Sequence, residues 1–137
     1  MRRSFIQASM VAVTTATTMT SRRAGAQTEV RFARGTSSAM LAGSIVRGER
    51  AAYSLGARAG QRMSLRITSD EDNAVFQLYA PGARLTPEGV SGTALPGAGE
   101  GEDARRWEGT LPKDGSYLIV VGATRGNASY RLDVTIS

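Results

Sequence analysis

Strict alternation is the feature that most limits what this chain can fold into. Tyr130, Leu132, Val134 and Ile136 alternate with Arg131, Asp133 and Thr135. A period of two puts one set on a buried face and the other in water, as in a half-buried β-strand. Gln61 to Ser69 repeats the pattern, with Met63, Leu65 and Ile67 inward and Ser64, Arg66 and Thr68 outward. Tyr117 to Gly122 reads as a further strand, joined to the last one by a Gly/Asn turn that includes Gly126-Asn127. Shorter runs cover Glu29 to Ala33, Ala39 to Val46, Arg50 to Leu55, Ala74 to Tyr79 and Arg105 to Thr110. No segment sustains a helical period. The expectation is an all-β domain, a jelly roll or β-sandwich of about eight antiparallel strands.

Between Ala80 and Asp103 the pattern disappears. Three of the four prolines and six glycines fall there. A gap this long is uncommon inside a compact domain, and its small residues predict a mobile loop.

The first 26 residues have a different character. Met1-Arg2-Arg3 precedes a mildly apolar, threonine-rich stretch, and Ala24-Gly25-Ala26 closes it. A basic start, a short apolar region and a small-x-small site form the pattern of an export signal. Arg2-Arg3-Ser4-Phe5-Ile6-Gln7 also resembles a twin-arginine motif, which implies a bacterial source. An ordinary secretory signal beginning with two arginines accounts for it as well. The predicted organisation is a leader over residues 1–26 and one domain over 27–137, periplasmic or secreted, with no membrane span. The leader holds four of the 17 basic residues and no acidic one, which leaves 13 basic against 12 acidic groups, a net of +1. Basicity is thus mostly a property of the leader and gives no reason to expect a nucleic-acid partner.

The chain has no cysteine and no histidine. This removes disulfides, a cysteine-linked lipid anchor, the Ser-His and Cys-His nucleophile systems and the commonest zinc ligand. Two acidic groups remain to be weighed. Asp70-Glu71-Asp72-Asn73 offers clustered oxygens for calcium, but lacks the spacing of the helical calcium loop and reads better as a solvated hairpin tip. Glu100, Glu102 and Asp103 sit where geometry is hardest to hold. No catalytic residue, metal or cofactor is assigned, and the chain is read as a non-enzymatic monomer.

Arg125 stands at the tip of the closing hairpin, where it has no core role and could anchor a partner carboxylate. A solubilising charge is the plainer alternative. Asn127, two residues on, begins an Asn-Ala-Ser glycosylation pattern, which carries little meaning in a bacterial protein. Tyr117, Tyr130 and Trp107 each precede a run in phase with them and are read as core.

Several fragments together carry a resemblance. They are Val30-Arg31-Phe32-Ala33-Arg34-Gly35, Gly43-Ser44, Tyr53 with Ala57-x-Ala59-Gly60-Gln61, and Phe76 to Pro81. Trp107-x-Gly109-x-Leu111-Pro112, Gly115-x-Tyr117 and Tyr130-x-Leu132-x-Val134 complete the set. In this order they resemble the bacterial pre-peptidase C-terminal domain and, within it, the periplasmic inhibitors of g-type lysozyme. The resemblance implies a jelly-roll sandwich without catalysis that plugs a lysozyme cleft with loops at one end. It also implies that Tyr53 and Arg125 are functional, and with Asn127 they form the candidate partner-binding set. Those inhibitors carry a longer, more basic loop where this chain has only Gly126-Asn127-Ala128-Ser129. The partner is accordingly read as a lysozyme or another extracytoplasmic protein, with a cell-wall or extracellular polymer, or a structural role, as the alternative.

Overall fold

The computed structural model describes residues 27–32 and 37–137; the expected leader lies outside them. Ten strands are present among the described residues: β1 (Gln27–Glu29), β2 (Ser38–Ile45), β3 (Ala51–Ala57), β4 (Arg62–Ser69), β5 (Ala74–Tyr79), β6 (Arg84–Thr86), β7 (Gly89–Ser91), β8 (Arg106–Thr110), β9 (Gly115–Ala123) and β10 (Ala128–Ile136). Eight of them form two four-stranded sheets. Sheet A has the order β1-β3-β9-β5 and sheet B the order β2-β10-β4-β8, while β6 and β7 pair as a separate hairpin. Apart from that hairpin, each strand lies in the opposite sheet from the one before it, as in a jelly roll. All pairings within the sheets are antiparallel except β1 with β3, which is parallel over three residues.

The core lies between the sheets. Leu55, Phe76, Leu78, Tyr117, Ile119 and Val121 come from sheet A, and Met63, Leu65, Ile67, Leu132 and Val134 from sheet B. The alternation seen in sequence puts these on the inner faces. Sheet A also has a covered outer face. Ala52, Tyr79, Leu118 and Val120 form a second buried cluster beneath Ala83, Leu85, Val90 and Ala94 of the hairpin region. Fully burying a side chain such as Leu or Val stabilises by roughly 1.5–3 kcal/mol, so the hairpin has a clear reason to stay in place.

The segment expected to be a mobile loop is therefore tied down. Beyond the hairpin it runs along the free edge of β5. Ala80 N–H donates to Thr93 O (2.8 Å), Leu95 N–H to Leu78 O (2.9 Å), Leu78 N–H to Ala98 O (3.0 Å) and Phe76 N–H to Ala104 O (2.9 Å). Leu95 and Ala98 are buried. Trp107, half-buried on β8, donates its indole N–H to Pro96 O at 2.8 Å and pins the same segment from the other side.

The end of the sandwich holding the β3–β4 and β8–β9 connections is locked by Leu111-Pro-Lys-Asp-Gly-Ser-Tyr117. The Tyr117 hydroxyl donates to Lys113 O (2.7 Å) and accepts from Lys113 N–H (3.1 Å). This is a tyrosine corner, a tyrosine at the start of a strand bonded back to the preceding turn. Asp114 accepts from Ala59 N–H at 2.7 Å, joining the two connections. Gly115 has φ 139°, and a side chain there would also strike Pro81, so glycine is required on both counts.

Candidate functional site

The opposite end gathers the β2–β3, β4–β5 and β9–β10 connections, and Asn73 holds it together. It is the one polar residue buried among those described, at 2% exposure. Its side-chain amide donates to Arg125 O and Asn127 O, both at 2.9 Å, and Thr124 N–H donates to its carbonyl at 2.8 Å. Ser69 Oγ accepts from Asn73 N–H (2.9 Å) and Ala74 N–H (3.2 Å), fixing the turn from which Asn73 projects. One amide thus sets the course of the β9–β10 tip from the neighbouring loop.

On that tip Arg125 is exposed but engaged. Its guanidinium donates to Glu71 O at 2.9 Å and lies 3.9 Å from the Glu71 carboxylate, a loose pair with both side chains well exposed. Arg105 holds the next residue similarly, with Nε 3.0 Å from the Asp72 carboxylate and a bond of 2.9 Å to Asp72 O. The acidic tip of β4–β5 is therefore clasped by two arginines. Among the described residues no group of three or more acidic, histidine or cysteine side chains is placed to hold a metal. Asn127 Oδ1 accepts from Arg47 N–H at 2.9 Å and anchors the β2–β3 turn. Beside this turn, Gly48–Arg50 and Thr86–Gly89 enclose a cleft of ≈ 530 Å³.

Tyr53 lies beneath this end rather than on its surface. It is 8% exposed, and its hydroxyl meets that of Tyr130 from the other sheet at 2.6 Å. Burial and this hydrogen bond push the Tyr130 hydroxyl well above its ordinary range. The pair has room only because residue 43 is glycine, since a Cβ there would fall 2.7 Å from the Tyr130 oxygen. The structure thus brings Arg125 and Asn127 together on one loop and sets Tyr53 in the packing below. Glu71 and Asn73, expected only as parts of a solvated hairpin tip, are the members that tie this end together. Asn73 stood inside a run of polar residues with nothing to mark it as buried.

The exposed tip carries the Arg125 charge on a base fixed by the Asn73 amide. A pre-peptidase C-terminal type of sandwich with one loop end fixed from within is the class these features define. Comparison with solved structures makes this specific. The chain is 35% identical to PliG of Aeromonas hydrophila, a periplasmic inhibitor of g-type lysozyme, over 81% of this chain and 96% of that one, with a TM-score of 0.67. PliG of Salmonella Typhimurium, also a periplasmic inhibitor of g-type lysozyme, is 24% identical over 82% and 99%, with a TM-score of 0.59. The pre-peptidase C-terminal domain of a Bacillus anthracis collagenase, 14% identical over 83% and 99%, with a TM-score of 0.52, shares the fold. No protein-family model and no curated protein sequence matches the chain. The chain belongs to the PliG family.

Proposed function

We propose that this protein is an exported, non-catalytic inhibitor of a g-type lysozyme, which it binds with the loop end built around Asn73. The observation that carries this reading is the 35% identity to the Aeromonas inhibitor across nearly the whole of that chain. The architecture of the tip supports it. Arg125 is exposed and held by one backbone bond and one loose ion pair. On docking it can keep the bond to Glu71 O and exchange the distant Glu71 carboxylate for a closer one on the enzyme. A desolvated charge-assisted pair of that kind is worth several times an exposed one. Asn127 serves by holding the adjacent turn, and Tyr53 by supporting the strands from which both loops spring.

The test is titration of a g-type lysozyme with the purified protein. Inhibition at micromolar concentration is expected. Arg125→Ala should weaken it by about 30-fold or more, corresponding to a lost interaction of about 2–5 kcal/mol. The variant's melting temperature should stay near that of the parent, because an exposed loop arginine carries no core packing. Absence of inhibition by the parent protein would sink the reading, whereas equal inhibition by Arg125→Ala would remove only the assigned contact.

A further inference from the structure

We propose that β2 pairs with β2 of a second copy of this chain, joining two sandwiches into a dimer through one continuous sheet. This goes beyond the inhibitor reading and does not rest on it. The four sheet edges are finished differently. β1 is three residues long and carries Glu29. The edge of β5 is covered by residues 93–104. β8 has five residues, with Arg106 and Glu108 on its wet face. Short strands, charges and covering segments are the means by which proteins blunt an edge. β2 has none of them. It runs eight residues as Ser-Ala-Met-Leu-Ala-Gly-Ser-Ile, without charge or proline. Among the described residues no segment pairs with its outer edge.

The register shows which groups are offered there. Ile136 N–H donates to Ser37 O at 2.8 Å, so in the β2–β10 pairing the odd-numbered residues of β2 bond inward. The backbone N–H and C=O of Ser38, Met40, Ala42 and Ser44 therefore point away from the sheet. Their side chains lie on its wet face, where Met40 is 59% exposed. Met40 and Val46 are the exposed large hydrophobics of the described chain, and both belong to this strand or follow directly from it.

An antiparallel pair about a two-fold axis at Leu41 uses every outward group at once. Ser38 then faces Ser44 of the other copy, and Met40 faces Ala42, a long flexible side chain against a small one. The charges on β10, which also pair loosely with each other at 3.3 Å within each copy, favour this register. Asp133 stands beside Met40 and Arg131 beside Ala42. Each central row across the seam thus runs from Asp133 through Met40 to Ala42 and Arg131 of the second copy, with opposite charges flanking it. Moving the axis to Met40 would set Asp133 facing Asp133 in one row, and moving it to Ala42 would set Arg131 facing Arg131. These charges are far enough apart to be partly screened, so their sign chooses the register while the backbone bonds and Met40 hold it. Because the pair is antiparallel, the two loop ends bearing Arg125 point in opposite directions and both stay open.

Sedimentation equilibrium of the exported protein over a concentration series tests this. Twice the monomer mass is expected in the micromolar range. Met40→Lys and Ala42→Pro should each raise the dissociation constant about tenfold or more. Proline at Ala42 removes an N–H that bonds to nothing inside the sandwich, so the fold should survive it. Leu41→Cys, the sole thiol in its chain, should oxidise to a covalent dimer faster than Thr110→Cys on β8, because the axis sets the two copies of residue 41 at the closer cross-strand spacing. A monomer at every concentration overturns the proposal. So does a dimer that neither Met40→Lys nor Ala42→Pro weakens, or a Leu41→Cys thiol that cross-links no faster than the control.

Discussion

Strands β9 and β10 follow one another in the chain, have nine residues each and lie inside a sheet, yet they are written in different codes. In β9 Tyr117, Leu118, Ile119, Val120 and Val121 are all buried. In β10 Tyr130, Leu132, Val134 and Ile136 are buried while Arg131 and Thr135 are exposed. The strands share an inner core and differ in what lies behind them. The β6–β7 hairpin and the residues after it cover sheet A, whereas among the described residues the outer face of sheet B is largely exposed. A continuous apolar run in an antiparallel sheet therefore signals a second covering layer, which the chain must supply from elsewhere.

A charge placed on the outer face of β9 should have the largest effect, and a charge taken from the outer face of β10 the smallest. Val120→Asp buries a carboxylate beneath the hairpin with no partner, and should cost about 3–5 kcal/mol in urea unfolding while exposing residues 81–104 to protease. A small cost would mean that the hairpin lifts easily and that sheet A is effectively one-sided. Asn73→Ala comes next, at about 2–3 kcal/mol, because it leaves the Arg125 and Asn127 carbonyls without their buried donor. Hydrogen exchange should localise the loosening to the β9–β10 tip, and β9 should keep its protection.

Tyr130→Phe should cost about 1–2 kcal/mol at neutral pH by stranding the Tyr53 hydroxyl, and the double change with Tyr53→Phe should cost less than the sum of the single ones. It carries a pH signature as well. The folded state raises the Tyr130 pKa, so it favours the neutral hydroxyl. That stabilisation is complete below the unfolded value and is lost as pH rises through the folded one. Stability measured above about pH 10 should fall in the parent and fall less steeply in Tyr130→Phe. The smallest effect belongs to the wet face of β10, where Arg131→Ala removes only an exposed 3.3 Å pair with Asp133 and should stay within about 0.5 kcal/mol of the parent.

Legibility followed the same division. The alternation from Gln61 to Ser69 became β4 (Arg62–Ser69), and Ala74 to Tyr79 became β5. The closing pair was readable because turn residues and a change of pattern mark its bounds. Residues 80–103 were not readable as an ordered segment, since its place along β5 is held by backbone bonds that almost any sequence can make. Leu95 and Ala98 are too sparse to generate a period, and the hairpin they follow shows no signal beyond Leu85 and Val90. At the loop end Arg125 and Asn127 were visible as turn residues. The contacts of Arg125 with Glu71 and of its carbonyl with Asn73 join loops far apart in sequence, and no local pattern encodes them.

The position of β10 bears on how the chain can acquire its shape. This strand lies between β2 and β4 in sheet B, with Thr135 opposite both Ser38 and Ser64. Until β10 has been synthesised, β2 has no neighbour among the described strands and β4 has only β8. Such long-range closure is entropically slow, and it keeps an uncharged strand unpaired in the meantime. Folding must then be a late event, and a ribosome stalled before Ala128 should carry a chain that chaperones hold and proteases cut. If the chain is exported as proposed, a route that delivers it unfolded would postpone closure to the far side of the membrane, while one that demands a folded cargo would require it beforehand.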